Sequence, residues 1–402
     1  MSRKRALHWF YVFTICWAFN PTSGLWILYL LHSHWTLFQV GLGEAGFHVV
    51  SFLSDVPTGL FADRWGRRKS VAFGLSVQAL TTGATFVLAP GSVVLGILSV
   101  SLGALAWSFI GGADRALLFG IVTEDDEASA FGRAYGTALA VNMAVRALAT
   151  AMGGWMVTRA GWYMPYGFAV LTALLGLLVT RALPESRPTS RDATPSFGRM
   201  AEDLRNALKS VQQLSGLPLW LLLGAGLATM VTINNLYAQS TLVMKGAPFE
   251  IASLLVAVAS ILTALGSWAG GRFDRRREIR VLSIGTLFLG TAVAAVGLLP
   301  LGEASLGYLG AAGVDGMLDP IYEAALNRLA PEEHRATILS LPSTGFSLGM
   351  MVLFPVAGWA MGAHHLKAAY VLIGFGLCLL AVGFAAAGFR RRRYLKTQSE
   401  QV

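Results

Sequence analysis

Along this chain, apolar runs of about twenty residues alternate with short polar or basic interruptions. That length crosses the ~30 Å of bilayer hydrocarbon as a helix, the form that pairs its own backbone groups in lipid. The pattern predicts twelve spans, over residues 9–31, 37–62, 70–89, 93–118, 133–158, 162–183, 216–243, 250–271, 280–299, 304–328, 336–361 and 366–389. One long polar connection, 184–215, separates the first six from the last six. There Pro184, Pro188 and Pro195 interrupt the chain, and Phe197, Met200, Ala201, Leu204, Leu208 and Val211 then recur at helical spacing among Arg199, Arg205 and Lys209. This predicts an amphipathic helix on the membrane surface. The domain reading is an N-terminal six-helix bundle over 1–183, a linker over 184–215, and a C-terminal bundle with a basic tail over 216–402.

Composition agrees with an all-α membrane protein: of 402 residues 54% are hydrophobic and only 13% charged, against about 25% charged in soluble domains. The net charge of +9 has a topological reading. Given twelve spans, 26 of the 31 Lys and Arg fall in the loops and tails of one side or at the span ends that border them. Arg159, Lys245 and Lys367 lie on the other, and Arg115 and Arg146 lie inside spans. Short basic loops stay cytoplasmic, so both termini are expected there, in a bacterial inner (plasma) membrane, and the charge needs no nucleic-acid partner. Cys16 and Cys378 are the only cysteines, too few for a disulfide framework or a cysteine metal site. The first span is too long for a signal-peptide core and reads as a retained helix.

The polar residues inside the spans carry the candidate chemistry. In span 1, Asn20-Pro21-Thr22-Ser23-Gly24 predicts a kink or break. It marks either the transport pathway, with Asn20 and Tyr29 as candidate cavity residues, or plain packing flexibility. In span 2, Glu44, His48 and Asp55 fall within ~40° of one another on a helix. A stripe of that kind avoids lipid. It is either a titratable line along a central pathway or a structural hydrogen-bond cluster. Gly41, Gly43, Gly46 and Gly59 on the same span allow close packing. Span 4 sets Asp114 and Arg115 about 100° apart, which implies separate partners. Span 5 puts Asn142 and Arg146 on one face, and Arg146 calls for a carboxylate from Asp55, Glu44 or Asp114. Asn235 and Gln239 in span 7 suit hydrogen bonds either to a substrate or between helices. Span 10 carries Asp315, Asp319, Tyr322 and Glu323 within about 100° of arc, with Pro320 predicting a kink.

Where span 2 ends, Asp55-Val-Pro-Thr-Gly59 leads into Asp63-Arg64-Trp65-Gly66-Arg67-Arg68-Lys69, and Gly270-Gly271-Arg272-Phe273-Asp274-Arg275-Arg276-Arg277 repeats the outline 211 residues later. Gly59, Asp63, Arg64, Gly66, Arg67 and Arg68 match Gly-x-x-x-Asp-Arg-x-Gly-Arg-Arg/Lys, which resembles the loop 2–3 signature of major facilitator superfamily transporters. The second copy lacks the glycine that Gly66 supplies. Pro57-Thr58-Gly59, Asn327-Arg328 and Arg335-Ala336-Thr337 look like the drug- and metabolite-efflux branch. Two departures stand: many relatives have an acid where Arg115 stands, and span 5 lacks the Gly-Pro-x-x-Gly-Gly form of many antiporters. The resemblance implies two pseudo-symmetric six-helix bundles built from inverted repeats, with the ligand site near the midplane. It also implies a conformational latch formed by the signature residues with Arg133 and Asp274, in which Asp63 pairs with Arg67 or Arg133.

With no phosphate-binding loop, nucleophile elbow or zinc-ligand spacing in the sequence, the reading is a carrier rather than an enzyme. It takes no cofactor or metal, is driven by the proton gradient, and works as a monomer on a small-molecule substrate. The leading expectation is a proton-coupled exporter of drugs or small lipophilic or cationic metabolites. Asp55, Glu44, His48 and Asp114 are its proton candidates, and six acids against two arginines inside spans favour cations or zwitterions. An importer of a polar nutrient is the alternative, followed by a non-transporting receptor.

Overall fold

A computed structural model of the chain describes residues 2–122, 128–185, 216–273, 277–330 and 335–399. The amphipathic helix expected over 197–211, the acidic turn 123–127 and Asp274 lie outside the described residues, as do the side chains of 335–337 and of the basic tail. Every regular element described is a helix. The chain divides into two compact units, Met1–Ala193 with Ala247–Ala257, and Thr194–Gly246 with Val258–Val402.

In the first unit, α1 (Arg3–Ala18) and α2 (Trp26–His32) flank the predicted break. Its turn is closed locally: Asn20 Oδ1 accepts from the Thr22 N–H at 3.1 Å and from Thr22 Oγ1 at 2.6 Å. An Asn side chain bonding two residues on is a turn-former, so the break is built from the residues that announce it. Helix α3 (Leu37–Trp65) starts with a capping box, in which the Gln39 N–H donates to Thr36 Oγ1 and the Thr36 N–H donates to Gln39 Oε1. It keeps Pro57 within one continuous helix. Gly66 then turns the chain at φ 105°, ψ 144° into α4 (Arg67–Leu88). An L side chain rarely adopts that backbone, and a Cβ there would also meet the Glu185 carboxylate. Gly66→Ala is expected to cost about 1–3 kcal/mol, read as a lower Tm of the detergent-solubilised protein.

Span 4 departs from the expected single helix. It is α5 (Val93–Ile110) and α6 (Ala113–Val122), parted at Gly111-Gly112, with Gly112 at φ 83°. Glycine tolerates positive φ without steric cost, and uniform hydropathy hides such a break. Helices α7 (Ala128–Ala160) and α8 (Tyr163–Thr180) follow, and Ala247–Ala257 completes the unit. Phe10 and Phe13 of α1, Val71 and Leu75 of α4, Ile110 of α5 and Leu117 and Leu118 of α6 share one apolar core.

The second unit holds α9 (Leu217–Met244), most of α10 (Phe249–Gly270), α11 (Glu278–Leu298), α12 (Leu301–Leu329), α13 (Arg335–Ala360) and α14 (Leu366–Ser399). A π-helical turn, Met361–His365, joins the last two. Helices α10 and α12 touch through backbone: a Cβ on Gly266 would meet Gly313 O, and Thr263 Oγ1 donates to Ala312 O at 3.1 Å. Pro320, Pro342 and Pro355 remain inside continuous helices. At one end of the unit, Arg328 of α12 pairs with Glu278 at the start of α11. Lys245, just past α9, donates to Gly297 O and Leu299 O at 3.0 and 2.7 Å. Burial, and then the neighbouring Lys367, hold its pKa below the usual lysine value.

Eight segments among the described residues are long and apolar enough to cross a membrane, Val93–Val122 counting as one. The remaining expected spans fall on α1 and α2, each too short alone, and on α3, α7 and α12, which carry the charged residues of interest.

Candidate functional site

Helix α3 brings Glu44 and His48 together, with His48 Nε2 3.6 Å from Glu44 Oε1, both largely buried. The i, i+4 spacing that suggested the stripe produces this contact. Asp55, two further turns along, is exposed and bonded across to α5: Ser108 Oγ donates to its Oδ1 at 2.8 Å. Ser54 Oγ donates to the same Ser108 hydroxyl at 2.9 Å. The stripe is therefore a Glu–His pair plus a separate serine-bound carboxylate, and Ser108 carried no sequence signal because its partners lie on another helix. Gly46 and Gly43 approach α5 closely, at Ser101 and at Val100 (3.5 Å). Gly59 does not share that role, since nothing lies within 4 Å of where its Cβ would be.

Asp114 sits in the first turn of α6 and accepts the Arg115 N–H at 2.7 Å. A carboxylate there complements the helix dipole. Arg115 extends over the Tyr135 ring, 5.9 Å from its centroid. The expected carboxylate partner of Arg146 is not found among the described residues. Its Nε donates to Asn142 Oδ1 at 3.1 Å, and its guanidinium lies 4.8 Å from the centre of the Trp107 ring. The aromatic face takes the place of the acid, and Trp17 meets Trp107 edge-on at 5.2 Å.

Tyr29 is 3% exposed, donates to Phe86 O and packs on Phe86, Trp162 and Tyr166. In this structure it belongs to an aromatic core. Asn20 is spent on its own turn, as described above.

The second unit places Asp315, Asp319 and Glu323 at successive i, i+4 positions of α12, with the last two exposed and none in an ion pair among the described residues. Tyr322 points elsewhere, donating to Trp220 O at 3.1 Å and packing beside Gly224. On α9, Asn235 is half-buried and Gln239 buried. Asn234 is fully buried, and neither of its amide atoms has a hydrogen-bond partner among the described residues. Tyr237 is fully buried against Phe354, 4.4 Å between ring centres.

The latch residues gather at the junction of α3 and α4, but not as a pair. Among the described residues Asp63 forms no ion pair with Arg67 or Arg133. Arg67 instead donates to Ala116 O on α6 at 2.8 Å. Arg68 pairs with Glu185 at 3.1 Å and donates to Leu183 O, a partner 117 residues away that the motif does not advertise. Arg64 lies over Trp65. Arg133 lines a cavity of about 250 Å³ with Arg3, Tyr11 and Thr137. The turn at Gly66 accounts for this: it aims the side chains that follow at α6 and the end of α8 rather than back at Asp63.

Comparison with known proteins agrees with this architecture. The chain is 22% identical over 394 residues to the uncharacterized MFS-type transporter YxaM of Bacillus subtilis, covering 96% of each. It is 26% identical over 291 residues to the uncharacterized MFS-type transporter YcaD of Escherichia coli, covering 69% of this chain and 70% of that one. Among solved structures, the nucleoside transporter NupG superposes with a TM-score of 0.76 at 12% identity, over 96% of this chain and 98% of that one. A D-xylose–proton symporter gives 0.69 at 14%, over 95% and 96%. The sequence model of the Major Facilitator Superfamily matches residues 9–314 and 246–401. This multi-pass, all-helical membrane protein belongs to the Major Facilitator Superfamily of transporters.

Proposed function

We propose that the chain is a secondary active transporter in which twelve spans form two six-helix bundles that rock about a solute site near the membrane midplane. Proton exchange drives the export of small lipophilic solutes, drugs and metabolites among them. The Glu44–His48 contact inside α3 carries this reading. Ionisable residues at membrane depth are expensive to keep and mark proton or substrate paths. A carboxylate and an imidazole one turn apart take up or release one proton while the pair moves between neutral and singly charged states. Asp55, held by Ser108, supplies a second acceptor on the same helix. The basic bias of one set of loops supports a bacterial inner membrane with cytoplasmic termini, and the efflux-like runs Pro57-Thr58-Gly59, Asn327-Arg328 and Arg335-Ala336-Thr337 support outward transport.

One observation favours import as a second reading. The amides Asn234, Asn235 and Gln239 on α9 suit hydroxyl-rich solutes, and nucleoside and xylose transporters share this fold. Everted vesicles with an acid interior separate the two readings, using a cationic dye, an aromatic carboxylate, a nucleoside and xylose as probes. Export predicts accumulation that collapses with the gradient. Accumulation only in right-side-out vesicles overturns export and supports import.

A further inference from the structure

We infer that Arg146 and Trp107 form the recognition point for an organic oxyanion, a carboxylate carried on an apolar or aromatic body. This rests on the transport reading and names the charge class of the solute. Arg146 lies near the middle of the 33-residue α7, where an uncompensated cation is costly. Only its Nε is engaged, and by Asn142 four residues earlier on the same helix. Its hydrogen bonding therefore links no two helices, as a structural cross-brace would. Among the described residues the N–H groups of its two terminal nitrogens meet no acceptor, and no carboxylate lies within ion-pair range. Trp107 holds the guanidinium over its ring while remaining 44% exposed, and Trp17 extends the aromatic surface. A guanidinium held over a ring, with both terminal nitrogens unbonded among the described residues, keeps the paired donors that match a carboxylate. The carboxylate of Asp55 is occupied with Ser108, the residue following Trp107, rather than with Arg146. Arg146 is thus left for a mobile anion, the opposite of the cationic preference that the count of charges inside spans suggests.

The test uses the full chain in lipid nanodiscs and three aromatic probes of one shape: 1-naphthoate, 1-naphthylmethylammonium and 1-naphthalenemethanol. Tryptophan quenching should show saturable binding with 1-naphthoate tightest. Arg146→Gln should weaken it by ~10-fold or more, the effect of losing charge-assisted hydrogen bonds, while Arg146→Lys should retain part of it. Trp107→Leu serves as a second probe of the site and should weaken naphthoate several-fold. Equal affinity for the three probes, or naphthoate binding unmoved in both Arg146→Gln and Trp107→Leu, overturns the inference. So does gradient-driven transport of the ammonium or the alcohol that ignores Arg146→Gln, a result that leaves export standing. Arg146-dependent naphthoate binding without gradient-driven transport of any probe supports the site and overturns the export reading instead.

Discussion

Gly266→Val is expected to leave little folded protein. A Cβ on Gly266 would meet Gly313 O and would lie 2.9 Å from Met317 N, so the new atoms strike backbone that has no rotamer to yield. The same seam continues at Gly270, whose Cβ would lie 2.9 Å from Pro320 Cγ, and at Gly316, whose Cβ would lie 2.7 Å from Thr263 Cα. Small residues at a membrane helix contact let backbones approach closely and gain dispersion energy. Forcing α10 and α12 apart forfeits that contact and the Thr263–Ala312 bond together, at about 3 kcal/mol or more. Fluorescence size-exclusion of the solubilised protein checks this: the monodisperse peak should be largely lost. Gly167→Ala is the matched control, because nothing lies within 4 Å of its Cβ position on α8. It should raise stability by about 0.5–1 kcal/mol.

How far the sequence discloses these features depends on the range of the interaction. Local chemistry is legible. The break after Ala18 follows from Asn20, Pro21 and Gly24, and the start of α3 from Thr36 and Gln39, three residues apart. The Glu44–His48 contact follows from helical spacing alone. The break at Gly111-Gly112 is not legible, because paired glycines also occur in straight membrane helices and the apolar run continues through them. Partners across helices are hidden as well, since they depend on how each helix is rotated. Arg146 shows this best: an arginine inside a span implies an acid, and the structure supplies the face of Trp107, which bears no formal charge. Arg68 finds Glu185 only because α8 returns to the turn at Gly66.

Glu44→Gln is expected to abolish coupling while preserving the fold. The amide keeps the shape and the oxygen acceptor opposite His48 but no longer titrates. A purely structural cluster would tolerate the exchange, whereas a proton-transfer group would not, and losing such a group lowers the driven rate by at least ~100-fold. Asp55→Asn makes the parallel test, since an asparagine oxygen still accepts from Ser108. Both variants should purify with the wild-type Tm, and solute exchange without a proton gradient should persist.

The most direct measurement is proton flux into proteoliposomes containing a pH-sensitive dye when a gradient of transported solute is imposed. Proton-coupled export requires an opposing proton flux in the wild type, absent in Glu44→Gln and Asp55→Asn. Solute movement without proton flux in the wild type, or an unchanged flux in both variants, would contradict it.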